Sequence, residues 1–79
     1  MKLDATYSVT DTRETPISGL VQLSPVAGGL LVFIGGNAYE TLTWDDDNPD
    51  AFIDDEEAGT IVVVTKEGSL LFTEEPGRA

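Results

Sequence analysis

Eight of the fifteen acidic side chains in this 79-residue chain fall between Asp45 and Glu57. The run reads Asp45, Asp46, Asp47, Asn48, Pro49, Asp50, Ala51, Phe52, Ile53, Asp54, Asp55, Glu56, Glu57, with no basic residue inside it. Like charges crowded this closely repel. Water and salt, a bound cation or a basic partner must relieve that repulsion. Carboxylates can also do acid–base chemistry, but only in a pocket that drives two of their pKa values apart. A run of adjacent, solvated aspartates does not provide one.

The rest of the chemical inventory is sparse. Histidine and cysteine are both absent. That removes the commonest general base, the best nucleophile, any disulfide and any zinc–thiolate site. Neither Gly28-Gly29 nor Gly35-Gly36 leads into a Lys-Ser or Lys-Thr pair, so a phosphate loop is not encoded. The expectation is a non-enzymatic protein without a cofactor.

The net charge is −11, with Lys2, Arg13, Lys66 and Arg78 as the only bases. Direct binding to nucleic acid or to an anionic membrane is disfavoured, because phosphate contacts need Lys and Arg. No apolar run has the ~20 residues of a membrane-spanning helix. Met1 to Asp4 does not read as a signal peptide. The expected location is the cytoplasm.

The elements that must carry the acidic run are strands. Leu3, Ala5, Tyr7 and Val9 alternate with polar residues, and Ile17, Gly19, Val21 and Leu23 repeat the pattern. Leu30 to Ile34 is an apolar run between two glycine pairs, the residues tight reversals favour. Asn37 to Trp44 reads as a strand by propensity, with a short helix as the alternative. Ile61 to Val64 is β-branched throughout, and Leu70 to Phe72 returns after a turn at Gly68.

These segments predict an all-β fold: a small antiparallel meander of five to six short strands forming a curled sheet or barrel. At most one short helical turn is expected, near the acidic loop. One domain, residues 1–73, should carry the loop 45–57, with residues 74–79 as a frayed tail. The expected core is Tyr7, Val9, Val21, Leu23, Val32, Ile34, Val62, Val64 and Leu71. Trp44 is expected to close its strand inside the core, with an exposed contact as the alternative.

Read from Asp46, the run resembles the calcium loop of the EF-hand family over 12 residues. Asp46, Asn48 and Asp50 stand at loop positions one, three and five, Ile53 at eight, Asp54 at nine and Glu57 at twelve. The resemblance implies calcium ligation by Asp46, Asn48, Asp50, Asp54 and Glu57. The chain departs from the pattern at Ala51, where a glycine is required, and at Pro49. It departs again at Ile61 to Val64, which reads as strand where a helix should leave the loop.

A second reading is imitation of nucleic acid. Phosphates repeat about every 3.4 Å along a DNA strand, close to the advance of extended protein backbone. The acids would then face a basic surface of a nucleic-acid-binding complex, with Phe52 and Ile53 as an apolar anchor. The candidate partner-binding residues are Asp45, Asp46, Asp47, Asp50, Phe52, Ile53, Asp54, Asp55, Glu56 and Glu57. Phe52 and Ile53 also fit a plainer role, pinning the loop to the sheet. In size, charge and lack of catalytic residues the chain is similar in kind to phage-encoded anti-CRISPR and anti-restriction inhibitors. A structural or accessory module, such as a virion or assembly component with a solvated loop, is the alternative.

Overall fold

The computed structural model describes residues 5–44 and 46–76. Every regular element in them is a strand: β1 Tyr7–Asp11, β2 Leu20–Val26, β3 Gly29–Ile34, β4 Asn37–Leu42, β5 Phe52–Asp55, β6 Thr60–Thr65 and β7 Gly68–Glu74. They form one antiparallel sheet in the order β4-β3-β2-β1-β7-β6-β5. Two meanders, β1 to β4 and β5 to β7, join where β7 pairs with β1. That leaves β4 and β5 as the two edges. No helix among the described residues is long and apolar enough to cross a membrane.

Ten large side chains share one face and are at most 2% exposed: Tyr7, Val21, Leu23, Leu30, Val32, Leu42, Ile61, Val63, Leu70 and Phe72. A flat sheet without helices could not bury them, so the sheet curls around its own inner face without closing. Ile17, in the β1–β2 connection, adds to this core. Gly35 and Gly36, at φ of 62° and 81°, make the two-residue reversal between β3 and β4. Positive φ at both positions is what a type I′ hairpin turn demands.

The all-β expectation holds, with seven strands instead of five or six. Asn37–Leu42 is strand, not helix. The unexpected strand is β5, inside the acidic run. Phe52 and Ile53 give it enough strand propensity to pair with β6, in the register Phe52↔Val63, Ile53↔Val62, Asp54↔Ile61 and Asp55↔Thr60. At the other end, β7 runs through Glu74 and the Glu75 N–H donates to the Thr6 carbonyl at 2.8 Å. The sheet therefore extends past residue 73. Residues 77–79 of the expected tail, like Leu3 and Asp4, lie outside the described residues.

The expected core needs correction on two strands. Val62 and Val64 are only half-buried and Leu71 is 40% exposed, while Ile61, Val63, Leu70 and Phe72 point inward. Ile61 to Val64 and Leu70 to Phe72 contain no polar residue, so the sequence carries no phase there. Pairing sets the phase instead: Phe72 lies opposite Val9 and Leu70 opposite Asp11, on the inner face of β1. Val9 and Ile34 pack against the core partly buried.

An ion triad holds one end of the curl. The Arg13 guanidinium donates to both Asp11 carboxylate oxygens and to both Glu40 oxygens, with Nη2 2.9 Å from Asp11 Oδ2 and 2.8 Å from Glu40 Oε2. Asp11 also accepts the backbone N–H groups of Arg13 and Ile17, at 2.9 and 2.8 Å. Its side chain is 0% exposed. Asp11 ends β1 and Glu40 sits on edge strand β4, so the triad spans the concave face.

Burial pushes the Asp11 carboxyl up, but the Arg13 side chain and the two backbone donors outweigh it and hold it below the usual range. The stabilisation from a depressed carboxylate is full above its unfolded value of about 3.9 and is lost as pH falls through the folded value. Arg13→Ala is expected to cost about 2 kcal/mol, because Asp11 and Glu40 both lose a charged donor at a part-buried site. Arg13→Lys should restore little, since an ammonium cannot fork between two carboxylates. The melting-temperature gap between wild type and Asp11→Asn should narrow as pH drops below about 4. A gap that stays constant down to strongly acidic pH would exclude this role for Asp11.

Candidate functional site: the acidic edge

The described residues of the acidic run, 46–57, occupy three pieces of structure: the connection before β5, edge strand β5, and the 56–59 turn into β6. Its local order comes from short polar residues and apolar pins. Asn48 Oδ1 accepts the Asp50 N–H at 2.9 Å, and the Asn48 carbonyl accepts the Ala51 N–H at 3.0 Å. The Ala51 carbonyl accepts the Val64 N–H at 2.7 Å, and Ala51 is 2% exposed. Trp44 and Phe52 stack with ring centroids 4.6 Å apart and planes 25° apart. Both rest against the core. The stack ties the exit of β4 to the start of β5, so it links the two edges of the sheet.

The run's two apolar residues separate. Phe52 turns inward and packs half-buried against the core, the plainer of the two roles expected from sequence. Ile53, one residue on, faces outward at 45% exposure. Trp44 packs as a core residue, half-buried.

Asp46, Asp47, Asp50, Asp54, Asp55, Glu56 and Glu57 are all exposed. Asp45 lies outside the described residues. Strand alternation puts Asp54 beside Ile61 on the inner side and Asp55 beside Thr60 on the outer side. Asp55 Oδ1 accepts the Ala58 N–H at 3.1 Å and helps close the 56–59 turn. The charges thus form two groups, Asp46, Asp47 and Asp50 before the strand and Asp54 to Glu57 at its far end.

The residues of the calcium pattern divide between the same two groups. Asp46, Asn48 and Asp50 lie before β5, Asp54 lies within it and Glu57 beyond its end. An EF-hand loop must curl around its ion, whereas Phe52–Asp55 is extended and paired. Asn48 Oδ1 is committed to the Asp50 N–H. No group of three or more His, Cys, Asp or Glu side chains among the described residues is placed to hold a metal ion.

Two features escaped the sequence reading. The Asp11–Arg13–Glu40 triad joins the end of β1 to β4, so no local spacing announces it. The outward Val62 and Leu71 were hidden by the missing phase of their strands. No known protein family, curated protein or solved structure matches this chain.

Proposed function

We infer that this chain is a non-enzymatic binding protein whose acidic edge occupies a basic surface of a partner protein, of the kind that otherwise holds nucleic acid. The observation that carries the reading is the exposure of all seven described acids from Asp46 to Glu57 along an edge that the Trp44–Phe52 stack ties to the core. Binding would release the partner's counterions and fade steeply with salt, as DNA binding does. In kind, this is how phage-encoded anti-CRISPR and anti-restriction inhibitors would act, inside the cytoplasm.

The test is displacement. Purified nucleic-acid-binding complexes carrying labelled duplex are titrated with the protein at low and moderate salt. The expected result is release of the duplex from at least one of them, with a 1:1 complex that weakens as salt rises. Release that is indifferent to salt, or none across a broad panel, would reject the reading.

One observation favours a second reading, a structural or accessory module with a solvated acidic strand. β5 is an edge, and charged residues on an edge block unwanted strand pairing. Under that reading no basic surface is displaced.

A further inference from the structure

In a chain with net charge −11, the outward positions of β1, β6 and β7 are all Ser, Thr, Val or Leu. The pairing register draws a line across this neutral face. Ile53 lies opposite Val62, Val62 opposite Leu71, and Leu71 opposite Thr10, so one row crosses four strands. Neighbouring members sit about 4.8 Å apart, the strand spacing. Ile53 is 45% exposed and Leu71 40% exposed, with half-buried Val62 between them. Asp55 follows Ile53 on the same side of β5, so the row begins at the acidic edge. The β-branched and hydroxyl side chains around it have little rotamer freedom to lose on binding.

Two arguments choose the occupant. A second copy would bring another −11 of like charge against the same border. A stable dimer needs about 800 Å² per partner, more than three apolar side chains supply. A partner surface with an apolar ridge flanked by Lys and Arg complements both the row and its border. We propose that the Ile53–Val62–Leu71 row is the docking point for the apolar ridge of a basic partner. This rests on the acidic-edge reading above and divides the labour within it: the acids accelerate encounter, and the row slows departure.

The test uses two synthetic peptides with the same number of lysines, one an amphipathic Lys–Leu helix and one a Lys–Ser chain. Each is titrated into wild type and into Val62→Thr/Leu71→Thr, a variant that puts strand-favouring threonine at both positions. Wild type should bind the Lys–Leu peptide about tenfold more tightly, through slower dissociation, with amide shifts centred on Ile53, Val62 and Leu71. The double variant should lose that advantage and bind the Lys–Ser peptide as wild type does. Leu71→Thr alone, should the double variant lose stability, is expected to show a partial loss. Equal affinity of the two peptides for wild type would overturn the row's role while leaving the acidic edge intact. Failure of the Lys–Ser peptide to bind wild type at low salt would instead remove the acidic-edge reading beneath it. Self-association of the free protein that the double variant abolishes would also overturn the proposal, by giving the row to a second copy.

Discussion

Val63→Asp is expected to unfold the protein, and Val62→Asp is expected to leave it folded. The two valines are adjacent on β6 and chemically identical, so face alone separates them. Val63 is 0% exposed, paired with Phe52 on one side and Leu70 on the other. An aspartate there either stays charged without a partner or must take up a proton, and either costs several kcal/mol. A domain of 79 residues has a stability near the low end of about 5–15 kcal/mol, so that cost removes most of it. Val62 points outward between Ile53 and Leu71. Its replacement loses strand propensity and some packing, about 1 kcal/mol. Circular dichroism and urea titration of both variants decide the matter. Equal destabilisation of the two, or a folded Val63→Asp protein, would show that the strand faces are assigned wrongly.

That pair also marks the limit of what the sequence could say. Where polar residues alternate with apolar ones, as from Ala5 to Val9 and Ile17 to Leu23, the buried set was legible: Tyr7, Val21 and Leu23 are inside. Where the run is uniformly apolar, periodicity identifies a strand without identifying its faces. Ile61 to Val64 and Leu70 to Phe72 are such runs, and long-range pairing with β1 settled their phase. β5 was obscured for a different reason. Its acids argue for a solvated loop, and only the edge of β6 and the Trp44–Phe52 stack make an extended conformation worthwhile. Local composition also hid the Asp11–Arg13–Glu40 triad. Arg13 and Glu40 are 27 residues apart in sequence, and the curl of the sheet brings them together. The acidic run itself was legible as a charged surface, but not as two groups divided by a strand.

Replacing Asp46, Asp47 and Asp50 by Asn and Glu56 and Glu57 by Gln is expected to leave the fold intact and weaken binding to a basic partner by about one to two orders of magnitude at low salt. All five side chains are exposed, and the change removes five negative charges from a chain of net charge −11. Asn and Gln keep a side-chain acceptor oxygen at each replaced position, and Asp55 is left unchanged because it accepts the Ala58 N–H. With less self-repulsion, stability should stay level or rise slightly. Binding behaves differently, because exposed charges act mainly on encounter. At low salt the association rate should fall by one to two orders of magnitude, and the difference should shrink as salt screens the field. Dissociation should change far less, since the five carboxylates lie outside the Ile53–Val62–Leu71 row. Rapid-mixing kinetics at several salt concentrations, alongside thermal melts, separates three outcomes. A folded variant that associates slowly supports the acidic edge as the steering surface. A folded variant with undiminished affinity at low salt makes the run a solvated edge and favours the accessory-module reading. A variant that fails to fold means that those carboxylates hold something structural, and a cation restored by titration into wild type should then raise its melting temperature.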